Sequence, residues 1–269
     1  MMTWEETIQH IRKHKDYQQL VVDAYFSEDL VANVERYKAT DEFSETLKEL
    51  RHFNPNKNLS ILDLGAGNGI STIAFALEGY KVTALEPDPS DTIGAGAIKK
   101  LIEKYKLTNV AVLECYAEDI PTEKIGFDVV FARQAMHHAY HLENFVAAAH
   151  NVLNDGGILM TIRDHVVENP KEKEMFLERH PLHKFYGGEN AFSKSEYSNA
   201  ITKAGFSILK IISPAQSVIN YHPWSKVVLN KKLGLLAYIP FVSDITWFYM
   251  NRRWEKMPGR LYSFIAQKL

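Results

Sequence analysis

Three glycines separated by single residues, Gly65, Gly67 and Gly69, follow the apolar run Ile61-Leu62-Asp63-Leu64. A turn of this kind between a strand and a helix points main-chain N–H groups at a ligand, and the absent side chains let that ligand approach closely. Glu86 stands 23 residues after Asp63, at the end of the next apolar run. A carboxylate there can accept both hydroxyls of a ribose, and it would repel a 2′-phosphate, which argues against NADP. Candidates for proton transfer come from the 11 histidines. His137 and His138 follow one apolar run, and Arg163-Asp164-His165 follows another. His138 or His137 could orient or deprotonate a hydroxyl, and Asp164 beside His165 could form an oriented acid–base pair. His180 and His183 with Glu189 would make a two-histidine, one-carboxylate set. With no acidic cluster after the run that precedes His137, no metal is expected.

These groups need a scaffold. Residues 1–58 read as helices, clearest over 40–53, where Thr40 can cap, Asp41 and Glu42 occupy the first turn, and Phe43, Leu47 and Leu50 share a face. Asn54 to Asn58 stop that helix. From residue 59 strands and helices alternate. Strands are expected at 59–64, 80–86, 109–115, 127–132, 157–163, 206–213 and 260–269, and helices at 70–78, 90–106, 142–153 and 193–204. Such alternation predicts parallel strands with right-handed crossovers. Ser193 with Glu196 has the spacing of a capping box. Residues 165–192 are polar, aromatic and irregular, with Tyr186, Glu189 and Asn190 near the histidines, as in loops that hold function. Residues 216–258 exceed what a hairpin needs and read as an insertion that helps build a substrate pocket.

Nicotinamide-dependent enzymes carry a third glycine where this chain has Ile70. The spacing Gly65, Gly67, Gly69, with Asp63 two residues earlier, instead resembles motif I of the class I S-adenosylmethionine-dependent methyltransferases. Further elements follow in the family's order: Glu86 after the second strand, YAEDIP after the third, FDVVFARQAMHH as motif IV, and LNDGGILM before the fifth. The resemblance covers roughly residues 40–215 and the final strand, and is closest to the small-molecule branch. It implies an α/β fold, a Rossmann-like, seven-stranded, mostly parallel sheet of order 3-2-1-4-5-7-6 with helices on both faces. It also implies an N-terminal helical segment over 1–58 and a methyltransferase domain over 59–269 with cap insertions at about 165–192 and 216–258. The implied cofactor is S-adenosylmethionine. Its carboxylate would meet Arg36 or Tyr37, and its amine the backbone at Gly65 and Arg133. Asp63, Ala66 and Gly67 would shape the loop, and Glu86 would take the ribose. Pro87, Ala117 and Glu118 would border the adenine, and Gln134 would lie beside Arg133. His138, His137 and His165 are the candidate catalytic residues.

The expected function is therefore methyl transfer to a small-molecule or lipid-like acceptor, at oxygen if the histidines serve as base. N- or C-methylation, a NAD-dependent oxidoreductase and a non-catalytic nucleoside-binding module are the alternatives. Ile70 and the lack of a Tyr-x-x-x-Lys pair oppose the oxidoreductase. A formal charge of −2, with no basic stripe and no Asn-Pro-Pro-Tyr motif, disfavours nucleic acid as partner. A single cysteine, Cys115, forms no intramolecular disulfide and suits a reducing cytoplasm. The segment MMTWEETIQH has no basic region followed by an apolar run, so no secretory signal is expected. The 18 apolar-rich residues 233–250 approach a membrane span, but Pro240 and Asp244 interrupt them. Lining a hydrophobic acceptor pocket, forming a homodimer face or touching a membrane surface remain open for that segment.

Overall fold

Apolar residues run almost without a break along the central strands, and both faces of those strands are covered. The structure, a computed structural model, describes residues 1–56, 58–120 and 126–269, the side chain of Glu118 apart. Seven strands form one sheet: β1 Ser60–Leu64, β2 Lys81–Leu85, β3 Val110–Leu113, β4 Phe127–Arg133, β5 Leu153–Val166, β6 Phe206–Ile212 and β7 Arg260–Lys268. Their order is β3-β2-β1-β4-β5-β7-β6, as the resemblance implied. The first five are parallel to one another, and β7 runs antiparallel between β5 and β6.

Leu62, Leu64, Val130, Ala132 and Leu159 face one core, filled by Val146 and Ala149 of the helix Leu142–Val152 and by Tyr197 and Ile201 of the helix Lys194–Lys203. Ile61, Val129, Phe131, Ile158 and Met160 face the other, against Phe75 of the helix Ile70–Leu77. Phe43, Leu47 and Leu50 of the helix Asp41–Phe53 join that second core. Thr40 caps this helix by accepting from Phe43 N, and Ser193 with Glu196 forms the expected capping box.

Several local expectations are corrected. The helix expected from residue 90 begins at Ala95, because Asp88 holds a turn: its main-chain oxygen accepts from Ala95 N at 2.7 Å and its Oδ1 from Ser90 N at 2.8 Å. The fifth strand starts at Leu153 rather than after Gly156, since Leu153 already pairs with Phe127. The irregular stretch after β5 contains a helix, Pro170–Arg179, with Asn169 as cap and Pro170 in the first turn.

The 216–258 insertion folds into the helices Lys226–Leu233 and Val242–Trp254 joined through a 3-10 turn, Gly234–Tyr238. Its inner side is aromatic, with Tyr221 stacked on Trp254 at 5.7 Å and edge-on to Trp247 at 5.4 Å. Trp247 and Tyr221 line a groove with Asp41 and Ser44. Leu235, Tyr238, Phe241 and Tyr249 of the same segment stand 86, 86, 74 and 67% exposed. Among the described residues no helix is long and apolar enough to cross a membrane.

Candidate active site

The glycine loop joins β1 to the helix Ile70–Leu77. Gly65 has φ +73° and sits so close to the turn after β4 that a Cβ would lie 2.8 Å from that of Ala135. Gly67, at φ +56°, has nothing within 4 Å of where a Cβ would stand, which leaves an open cradle. The N–H of Gly67 donates to Glu86 Oε2 at 2.7 Å, and Asp88 N donates to Glu86 Oε1 at 3.0 Å. Burial pushes Glu86 up to about 7, against the pull of these two amides. Asn68 ties the loop to the N-terminal segment by donating to Tyr25 O at 2.7 Å.

Asp63 is buried at the end of β1, where its Oδ2 accepts from the hydroxyls of Ser71 and Thr72 at 2.7 and 2.6 Å. It braces side chains of the following helix rather than the loop's N–H groups. Its other oxygen has no hydrogen-bond partner among the described residues, nor has the buried hydroxyl of Tyr37. Burial raises both groups. An open cradle, two unpartnered polar atoms and a carboxyl group at the end of β2 that faces the loop fit a ligand with a ribose and a charged amino-acid end.

Arg36 donates to Val22 O at 3.1 Å and Asn33 Oδ1 at 2.8 Å and lies over the Tyr25 ring. Arg133 spends its side chain on Glu42, at 2.6 and 3.3 Å, and on Gln134 Oε1 at 3.1 Å. Arg163 adds a second cation to Glu42 at 3.3 Å. Burial raises Glu42, but Arg133 and Arg163 overcome it and hold the carboxylate below its usual range. Glu42 escaped the sequence reading, which placed it merely in a first turn. Its spacing to Thr46, Glu49 and Leu50, all buried on one helical stripe, is the signal that could have found it. Gln134 adopts φ +50° and anchors to Ile162 O at 2.8 Å. Ala66 packs with Ala84 and Ile98, Pro87 is half-buried beside Glu86, and Ala117 is buried at the start of the turn after β3. The side chain of Glu118 lies outside the described residues.

Histidines gather at the carboxyl ends of β4 and β5. His137, buried in the 3-10 turn Met136–His138, donates from Nδ1 to Asp164 Oδ1 at 3.1 Å, and its main-chain N–H donates to the same oxygen at 3.0 Å. Its Nε2 lies 3.5 Å from Glu189 Oε2. Burial pulls His137 down, but Asp164 and Glu189 prevail and push it up to about 9. The expected Asp164–His165 pair is corrected: neighbours on a strand diverge, and a bulge between Thr161 and Asp164, with Arg163 at φ +64°, turns Asp164 to His137. His165 instead donates from Nδ1 to Gly259 O at 2.8 Å. His138 is more exposed and donates from Nδ1 to Gly188 O at 3.1 Å, so Nε2 carries its lone pair. Tyr186 Oη lies 3.2 Å from that same Nδ1. His180 Nδ1 is 3.7 Å from Glu189 Oε1, and His183 opens the short helix His183–Tyr186.

A family profile described as a methyltransferase domain matches residues 35–211. The mitochondrial ubiquinone biosynthesis O-methyltransferase of Mus musculus is 30% identical over 117 residues, 42% of this chain and 31% of that protein. The tRNA U34 carboxymethyltransferase of Ruthia magnifica subsp. Calyptogena magnifica is 32% identical over 110 residues, 40% of this chain and 34% of that protein. The chain thus spans about a third of the length of these two curated relatives. Among solved structures, phosphoethanolamine N-methyltransferase 2 of Haemonchus contortus, in complex with phosphomonomethylethanolamine and S-adenosylhomocysteine, has the same fold. It superposes with a TM-score of 0.62 at 17% identity, over 100% of this chain and 60% of that one.

Proposed function

The chain belongs to the class I S-adenosylmethionine-dependent methyltransferases, and from that premise we propose that it transfers the methyl group to an oxygen of a small-molecule or lipid-like acceptor. The cofactor supplies an electrophilic methyl carbon on a sulfonium. The chain's own part is to bind it, to align the acceptor in line with that carbon, and to take a proton. In this reading Glu86 accepts the ribose hydroxyls, the Gly65–Gly67 backbone lies against the cofactor's amino-acid end, and the free oxygen of Asp63 and the hydroxyl of Tyr37 bind there. Ala117 borders the adenine.

One observation carries the catalytic assignment. Gly65 abuts Ala135, three residues before His138, so the cofactor loop and the histidine turn share one wall. His138 is the base: Gly188 O fixes its tautomer, its side chain is about a third exposed, and burial with the neighbouring His137 pulls it down to about 4. With the cofactor bound, its sulfonium would supply the methyl group to the acceptor oxygen and keep the carbon–sulfur electron pair, and His138 Nε2 would take the acceptor's hydroxyl proton. The mouse relative's name, an O-methyltransferase, supports oxygen. Incubation with isotopically labelled methyl donor and a panel of phenols, catechols and polyprenyl phenols tests the reading. A product carrying the labelled carbon on oxygen by NMR is expected; label confined to nitrogen or carbon acceptors opposes it.

The exposed side of the hairpin supports a lipid-like acceptor. Apolar side chains there lie between Lys231 and Lys232 at one end and Arg252 and Arg253 at the other, a pattern suited to an anionic membrane surface.

A further inference from the structure

We propose that His137, His165 and Glu189 form a binding site for a divalent first-row transition metal ion. One donor atom from each lies within 4.8 Å of the others, and the His137 Nε2 to Glu189 Oε2 separation is 3.5 Å. Ligands 2.1 Å from a tetrahedral ion are about 3.4 Å apart, so this pair already has the required spacing.

The surroundings of the two imidazoles carry the argument further. Each has its Nδ1–H committed, that of His137 to Asp164 and that of His165 to the carbonyl of Gly259. Nε2 is therefore the nitrogen each ring has left to ligate an ion, and binding would displace the proton that Glu189 favours on Nε2 of His137. Asp164 is itself held, because the same oxygen accepts the main-chain N–H of His137. An independent observation points to a ligand. Nδ1 of His180 is buried without a hydrogen-bond partner among the described residues, 3.7 Å from Glu189 Oε1. Imidazole nitrogens with one carboxylate favour zinc, iron(II), cobalt or manganese over magnesium, which requires oxygen ligands. His180 and His183, the histidines paired with Glu189 in the sequence reading, are not in the cluster found among the described residues.

The ligands come from the turn after β4, from β5 and from the segment after the helix Pro170–Arg179. An ion would therefore clamp the 165–192 insertion onto the sheet beside His138. Its role there, which rests on the methyl-transfer reading, is to hold the acceptor oxygen and lower the pKa of its proton.

The test uses the full chain, stripped with a chelator and titrated with cobalt(II), whose visible ligand-field absorption reports nitrogen and oxygen ligation, and with zinc by calorimetry. One equivalent bound is expected. His165→Gln and Glu189→Gln should weaken uptake by more than tenfold. Asp164→Asn should weaken it by about tenfold. S-Adenosylhomocysteine binding by each variant controls for folding. No uptake by the wild-type chain, or uptake indifferent to these substitutions, overturns the site. Metal binding without methyl transfer to any acceptor would leave the site standing and remove the proposed reaction. Equal methyl transfer by stripped and loaded protein would remove the acceptor role.

Discussion

The main-chain N–H of Gly67 donates to Glu86 Oε2 across the sheet edge at 2.7 Å, so the carboxyl group placed to receive a ribose also braces the loop in front of it. Glu86→Ala removes both functions at once. It should weaken S-adenosylhomocysteine binding by about 1–3 kcal/mol, measured by calorimetry. Unchanged affinity would take Glu86 out of the site.

The same residue predicts a pH dependence. Burial holds Glu86 at about 7 instead of 4.5. Its ionised form is the better acceptor, so cofactor affinity should rise as pH rises through about 7, and Glu86→Gln should flatten that rise. Stability of the ligand-free protein goes the other way. Between 4.5 and about 7 the folded state holds a proton that the unfolded state has released, so this group's contribution falls as pH rises. Thermal unfolding of wild type against Glu86→Gln across that window checks the sign.

His138→Ala should lower kcat by about 10²–10⁴-fold and leave cofactor affinity nearly unchanged. A wild-type rate would reduce His138 to wall material. Rescue by added imidazole would identify the missing group as a proton acceptor.

Glu42→Gln leaves the buried cations Arg133 and Arg163 facing one another. It should cost about 3–5 kcal/mol in urea unfolding. A loss below about 1 kcal/mol would mean that another group neutralises the arginines.

Phe241→Ser combined with Tyr249→Ser removes two of the most exposed rings of the hairpin. Co-sedimentation with anionic vesicles should drop several-fold while cofactor binding stays. Equal sedimentation with neutral vesicles, or none by wild type, would sink the membrane contact.

The parts of the fold that were legible in the sequence are those written in local pattern. Apolar runs such as Leu59 to Leu64 marked buried strands, and Thr40 and Ser193 marked helix starts because a side-chain oxygen can reach an amide three residues on. Asn169-Pro170 with Glu172 carried the same kind of signal for the helix Pro170–Arg179, hidden by its polar surface. The pairing of Asp164 with His137 was not legible. It depends on a bulge at which Arg163, a residue with no preference for left-handed backbone, adopts φ +64°. Glu42 was hidden for a related reason: a buried carboxylate looks like a surface one until the arginines that surround it, 91 and more residues away, are in place.

The position of β7 dictates an order of events. Among the described residues strand β6 has no partner in the sheet except β7, which is synthesised only after the whole aromatic hairpin has been made. While the ribosome is still translating that stretch, β1 to β5 can already associate, but the outer edge of β5 stays bare and β6 waits unpaired. Such long-range closure is slow, so during biogenesis two open strand edges, of β5 and β6, are displayed together. A chaperone that shields unpaired strand edges should engage the nascent chain in that interval and let go once β7 zips into its slot.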